Sequence, residues 1–313
     1  MATRQLDRLQ GALLGTALGD AVGAPFEGRH GIATREVEAW LASSAQLRWT
    51  DDTHMAMTLA QVLRDTDGSL DTQRLGDAFA VAYESEPWRG YGAGPPQVFA
   101  LARGGMTYLE AAGSLFSGSG SFGNGAAMRV APVALAARGD VNQAAALAET
   151  QARVTHTHAE AVDGAVFVAT AACVLASGTG DRAEVIALLP RAADLLPSGR
   201  VRAAITEIID AARAGEDPAA VAHDLGTGVA ARESVPAAVA AVLVGEDVTS
   251  TLVAAVLLGG DTDTIAAMAG AMAGARYGAS SIPDRLLARL EDRETLDELA
   301  STLLTQGEPD HTG

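Results

Sequence analysis

The sequence predicts an all-α protein, a compact bundle of helices forming one domain over residues 1–305. Three observations carry that expectation. Apolar residues make up 48% of the chain and aromatics only 4%, so the core must be assembled from Ala, Val, Leu and Met, the material of close-packed helices. Apolar positions recur at helical spacing through most of the chain, in segments of ordinary helix length. No convincing run of alternating apolar and polar residues marks a strand.

In chain order, the first helix is expected at 5–19, before the Gly23 to Pro25 turn. Helices at 54–64 and 72–84 are divided by Asp67-Gly68, and one at 98–112 follows Gly94-Pro95-Pro96. Segment 126–137 opens after Gly123-Asn124-Gly125 and closes at Gly139-Asp140, where 141–154 begins. The most apolar segment, 159–177, ends at Gly178, and 181–194 stops short of Pro197. Gly199 and Gly215 bracket 200–214, and 217–231 follows. Pro236 and Gly245 bound 236–244, whose Val239 to Val244 is β-branched but rich enough in Ala to favour helix. The series closes with 249–258, 263–277 and 283–305. Gly, Pro and Asp-Gly punctuation sets all these bounds. Residues 306–313 are expected to form a disordered tail.

Two glycine stripes add a tertiary expectation. Gly11, Gly15 and Gly19 recur every four residues, as do Gly270, Gly274 and Gly278. That spacing puts each set on one helix face, where missing side chains let backbones approach. Interior glycine costs about 1 kcal/mol per position relative to alanine, and close packing would compensate. The two helices are therefore expected to cross at the centre of the domain.

Composition removes several functions. All 22 basic residues are Arg, which excludes a Schiff-base lysine, a phosphate-loop lysine and a Ser-Lys dyad. A net charge of −17 disfavours general nucleic-acid binding. Cys173, the single cysteine, lies in an apolar run and reads as a buried core thiol. Arg4, Asp7 and Arg8 precede any apolar stretch, and candidate spans are broken by Asp or Glu, so a cytoplasmic protein without membrane insertion is expected.

The chemistry is concentrated in Trp49-Thr50-Asp51-Asp52-Thr53 and, about 210 residues on, Gly259-Gly260-Asp261-Thr262-Asp263-Thr264. Each precedes an apolar, Met-containing helix, so capping is one reading, since Asp and Thr are favoured there. Capping needs only one such side chain, however, and two carboxylates beside an apolar helix repel unless a cation neutralises them. Four carboxylates with hydroxyl oxygens suit two Mg²⁺ or Mn²⁺ ions, whereas zinc would bring Cys or His into the set. Spacing alone leaves both readings open.

Three weaker signals stand beside these. Gly19-Asp20 and the turn through Pro25 project Glu27 beyond the first helix. Gly120 to Gly125 forms a glycine-rich loop opening a helix, able to present N–H groups to an anion such as phosphate. Thr155-His156-Thr157-His158 lies between two helices.

Together the segments GALLGTALGDAVGAPFEG, WTDDTHMAMTLA, GSFGNGAAMRVAP, VTHTHAEAVDGA and LLGGDTDTIAAMAGAMAGARYG resemble, in order, the ADP-ribosylglycohydrolase family, which includes the dinitrogenase-reductase-activating glycohydrolases. The resemblance spans residues 10 to about 278. It implies a compact orthogonal helical bundle with a binuclear Mg²⁺ or Mn²⁺ centre. Thr50, Asp51 and Asp52 match the ligands of one metal, and Asp261, Asp263 and Thr264 those completing the pair, with Asp263 as bridge. Glu27 matches the glutamate at the active-site entrance, and Glu27, Asp51 and Asp52 are the expected catalytic carboxylates. Ser121, Phe122, Gly123, Asn124 and Gly125 match the loop around the ADP-ribose phosphates, and His156 the histidine near the ligand. His158 takes no role.

Two departures stand out. Phe122 replaces a tyrosine frequent in relatives, keeping a ring to stack on ribose or base without its hydroxyl. The segment Glu86 to Pro96, with Trp88 and Tyr91, matches nothing in the family pattern and is a candidate pocket wall. The resemblance implies a monomeric hydrolase freeing ADP-ribose from an ADP-ribosylated protein or small molecule by cleaving the C1″ glycosidic bond. A catalytically silent, crystallin-like ADP-ribose binder and a binuclear phosphohydrolase are the alternatives.

Overall fold

The computed structural model describes residues 3–305, so the expected tail at 306–313 lies outside the described residues. Among the described residues, seventeen α-helices and three 3₁₀ turns make up the regular structure. Among the described residues no strand forms, only isolated bridges pairing Leu47 with Leu290 and Gly123 with Ala230.

Helix α1 (Thr3–Gly23) and helix α15 (Thr262–Tyr277) pack directly on each other at the centre. The glycine stripes are the reason. A Cβ on Gly11 would strike the Gly274 carbonyl, one on Gly15 the Gly270 carbonyl, and one on Gly19 the Ala266 carbonyl, with Gly270 and Gly274 colliding in return. Backbone thus meets backbone along α1 from Gly11 to Gly19. Gly278 belongs to the stripe only in part: it ends α15 at φ 98°, a conformation favouring glycine.

Around this pair lie α9 (Ala159–Ser177), α13 (Ala231–Val244), α14 (Val248–Leu258), α3 (Asp51–Asp65) and α17 (Arg293–Thr305). Helix α9 is long and apolar enough to cross a membrane, yet 78% of its apolar window is buried inside the protein, as for a core helix. Cys173 is buried within it, and its thiol is pushed up to about 12 by that burial.

The structure corrects several boundaries. A helix at 34–42 forms that apolar periodicity does not mark: α2 (Thr34–Ala42) is charge-rich, and Glu36 reaches back to the Ala33 N–H at its start. The segment expected at 98–112 divides into α5 (Gly94–Arg103) and α6 (Tyr108–Gly118), because Gly105 turns the chain at φ 102° and Thr107 caps the second helix with Glu110. Residues 124–126 form a 3₁₀ turn, and α7 starts only at Ala131, so no α-helix opens at Ala126. The expected 217–231 ends early as α12 (Pro218–Leu225), since Gly226 takes φ 109°. Helix α13 runs through Pro236, which was expected to start it. A proline costs about 3 kcal/mol inside a helix. Val235, Val239, Val242 and Leu243 are fully buried on the same helix, each contributing about 1.5–3 kcal/mol, and that burial prevails. The last segment divides into α16 (Asp284–Leu287) and α17 around Asp292 at φ 51°.

Candidate active site

The first turns of α3 and α15 point into one cleft of about 350 Å³. Glu27, Asp51, Asp52, Asp261, Asp263 and Thr264 line it, with Ser121, Gly123, Asn124, Gly125 and His156 across from them. A larger hollow of about 510 Å³ lies beside Trp49 and His54 but gathers none of the expected site residues.

The carboxylates converge because helix ends converge. The α1–α15 contact brings the last turn of α1 against the first turn of α15, with Thr262 Oγ1 donating to the Gly23 carbonyl at 2.9 Å. Glu27 follows within one turn, its loop tied by Gly28 N–H to Gly260 O at 2.8 Å and Gly260 N–H to Arg29 O at 2.9 Å. Single oxygens of Glu27, Asp261 and Asp263 all lie within 4.8 Å of one another. Glu27, expected as an entrance residue, therefore stands at ligand distance from the second acidic cluster. Thr264 donates its N–H to Asp263 Oδ1 at 2.9 Å.

Asp20 organises the first cluster, and sequence reasoning gave it no role. Fully buried in α1, it accepts from Thr50 N–H at 2.9 Å, Thr53 N–H at 3.0 Å and Thr53 Oγ1 at 2.6 Å. It thus caps α3 from another helix, while Thr50 Oγ1 accepts only a long 3.4 Å bond from Asp52 N–H. Asp51 and Asp52 are not needed as caps. Asp261, at the N-cap of α15, makes no side-chain capping bond either. The signal for Asp20 was the Gly-Asp pair inside the glycine stripe, where a buried carboxylate demands a partner.

Electrostatically the cluster is under tension. Burial first, then Asp20, raises Asp51 to about 7. Burial first, then Asp261, Asp20 and Glu27, raises Asp263 to about 9. Burial, with Asp20 and Asp263 nearby, holds Asp52 well above the ordinary range, and burial then Asp261 raises Glu27. Asp52 Oδ2 is buried with no hydrogen-bond partner. An orphaned carboxylate oxygen, mutual repulsion and an all-oxygen donor set are the features a hard divalent cation satisfies.

The opposite wall is built from loops. Phe122 and Asn124 pair with 229–231 through Asn124 N–H to Val229 O and Ala231 N–H to Phe122 O, both 3.0 Å. Val229 lines the cleft, so the segment read as helix serves as wall. Asn124 Nδ2 donates to Asp261 Oδ2 at 2.6 Å and to Ser234 Oγ at 3.0 Å. Ser121 Oγ accepts from Gly123 N–H at 3.2 Å. Phe122 itself does not line the cleft: it is 41% exposed, its ring centroid 6.5 Å from that of Phe116, which does. Phe116, at φ 51° where α6 loses helical geometry, escaped sequence reasoning because a Ser- and Gly-rich stretch hides a lone aromatic.

Gly90, Gly92, Ala93, Gly94 and Pro95 form a third wall, from the segment the sequence left unplaced. Asp51 N–H donates to Arg89 O at 2.8 Å. Arg89 is held by Glu86 at 2.6 Å and Glu291 at 2.9 Å. Gly90, at φ 100°, leaves room beside Asp51 Oδ1. Tyr91 meets His54 Nδ1 at 3.0 Å, whereas Trp88 is 72% exposed and does not line the cleft. His158 caps α9 by accepting from Glu160 N–H at 3.2 Å.

The molecule is thus an all-α protein whose helix ends bring five carboxylates to one cleft. The pattern of the ADP-ribosylglycohydrolase family matches residues 1–312. The chain is 33% identical to the ADP-ribosylhydrolase ARH3 of Bos taurus, over 96% of this chain and 93% of that protein. It is 32% identical to the Homo sapiens ADP-ribosylhydrolase ARH3, over 96% and 94%. A solved structure described as an ADP-ribosylglycohydrolase-related protein complex superposes with TM-score 0.75 at 28% identity, covering 97% of this chain and 99% of that one. The chain belongs to the ADP-ribosylglycohydrolase family, a family of hydrolases.

Proposed function

We propose that this protein releases ADP-ribose from an ADP-ribosylated substrate by hydrolysing the bond at C1″ of the distal ribose, with two divalent cations, Mg²⁺ or Mn²⁺, in the cleft. The observation that carries the reading is the convergence of Glu27, Asp51, Asp52, Asp261 and Asp263, with Asp52 Oδ2 buried and unpartnered. Thr50, Asp51 and Asp52 would hold one cation, and Asp261, Asp263 and Thr264 the other. When bound, the cations supply positive charge that orients ribose hydroxyls and acidifies water.

The chain's own residues do the rest. Asn124 fixes Asp261 by its amide. The Ser121 to Gly125 loop borders the diphosphate, with glycines allowing close backbone approach. Phe116 offers a ring for the base or ribose, with Phe122 beside it outside the lining. Water attacks C1″ as the bond to the acceptor breaks through an oxocarbenium-like transition state. Glu27 takes the water proton, its raised pKa suiting a base, and the electron pair of the broken bond leaves on the acceptor atom.

The test is ADP-ribose release from separate arginine-linked and serine-linked peptides, with Mg²⁺ or Mn²⁺ and with chelator. Cation-dependent release of free ADP-ribose from either supports the reading and assigns the linkage. AMP or inorganic phosphate as product replaces it with phosphohydrolysis. Binding without release replaces it with a silent binder.

A further inference from the structure

Behind the cleft, Arg129 is fully buried and donates to Gln151 Oε1 at 2.7 Å, to Gln151 O at 2.9 Å and to Thr155 Oγ1 at 2.9 Å. No carboxylate is among its hydrogen-bond partners in the described residues. Its guanidinium lies over the Phe79 ring, 4.4 Å from the centroid. A buried guanidinium is a donor only, so the Thr155 oxygen must accept from it. Thr155 Oγ1 also stands 2.7 Å from His156 Nδ1. Among the described residues the Thr155 hydroxyl proton has no acceptor other than that nitrogen.

We infer that Arg129 and Thr155 are positioning residues that fix His156 as the Nε2–H tautomer and aim this N–H into the cleft. The proton order follows from the chain of partners. Arg129 donates to Thr155 Oγ1, Thr155 donates to His156 Nδ1, and the imidazole keeps its proton on Nε2. The Nε2 edge faces the glycine loop: a Cβ on Gly125 would stand 3.1 Å from His156 Nε2, and one on Gly123 3.7 Å away. Burial and the Arg129 charge press the imidazolium down to about 3, so the ring stays neutral. The cleft thus gains a fixed neutral donor for one acceptor oxygen of the ligand. Taking that oxygen as a phosphate or ribose oxygen of ADP-ribose rests on the reading above; the tautomer does not.

Long-range ¹H–¹⁵N correlation of the histidine rings of the full-length protein tests this, with His156 assigned by its loss in His156→Gln. The expected spectrum shows Nε2 protonated and Nδ1 as a hydrogen-bonded, unprotonated nitrogen. Thr155→Val should move Nδ1 to the position of an unbonded nitrogen and raise the Kd for ADP-ribose about tenfold, the scale of one hydrogen bond to a charged partner. Thr155→Ser should keep the wild-type nitrogen positions and affinity. A proton on Nδ1 in the wild type, an Nδ1 signal unmoved in Thr155→Val, or an unchanged Kd there overturns the inference. The ring spectrum needs no ligand, so failure of the wild type to bind ADP-ribose counts against the function reading alone.

Discussion

Asn124 Nδ2 lies 2.6 Å from Asp261 Oδ2, joining a glycine-rich loop to the first turn of α15 across 137 residues of chain. The same amide donates to Ser234 Oγ, so both its protons are committed and the carboxylate is held in one orientation. Outer-shell partners of metal-ligating groups are worth about 10- to 100-fold in affinity or activity. Asn124→Asp removes the donor and adds a carboxylate beside Asp261. It is expected to weaken Mn²⁺ binding and turnover within that range, as read by calorimetry and ADP-ribose release. Wild-type values for both would show the contact to be incidental.

Asp263→Ala, or Asp261→Asn, is expected to abolish both cation binding and turnover. In chelator, Asp263→Ala should melt above the wild type, because it removes a carboxyl that burial and its neighbours make costly to ionise. A variant that still hydrolyses substrate at the wild-type rate would refute the two-cation arrangement.

Glu27→Gln keeps the shape of the entrance and removes the proton acceptor. Turnover should fall about 10²-fold or more, the scale of a general base, with ADP-ribose affinity largely retained. Because Glu27 stands within reach of Asp261 and Asp263, cation titration belongs beside the rate measurement. A loss of cation affinity equal to the loss of rate would make Glu27 a ligand instead of a base.

The α1–α15 contact predicts a contrast between glycines. Gly15→Ala drives a methyl into the Gly270 carbonyl and should destabilise by about 3 kcal/mol, at the upper end for overpacking. Gly113→Ala in α6 meets only an ordinary contact with Thr157 and should stabilise by about 0.5–1 kcal/mol. Denaturant midpoints with unchanged slopes would measure both; equal effects would remove close backbone packing as the role of the stripe.

Without cations, thermal stability should decline as pH rises. Folding raises Asp20 to about 6, Asp51 to about 7 and Asp263 to about 9, all above the ordinary aspartate value near 3.9. Their contribution is fully present below about pH 4 and is lost as pH climbs through about 6 to about 9. Melting in chelator at pH 5 and pH 9 checks the sign. Saturating Mg²⁺ or Mn²⁺ should flatten the dependence, and a chelated protein more stable at pH 9 would contradict the clustered burial.

Features that are local or periodic are carried by the chain itself. Helical spacing located most helices, fourfold glycine spacing located the central contact, and adjacent Asp and Thr residues marked both helix starts that carry the site. Those patterns are legible because a helix repeats its face every three to four residues. Which helix ends meet depends on packing in space. Asp20 caps a helix other than its own, Glu27 joins a cluster more than 200 residues away in sequence, and Phe116 reaches the cleft from a broken helix end. Packing likewise keeps Pro236 inside α13 and takes 226–230 out of the helix, so that Val229 lines the cleft. In each case burial and hydrogen bonds contributed by distant segments outweigh local propensity, and those partners are set by packing in space, which no local pattern encodes.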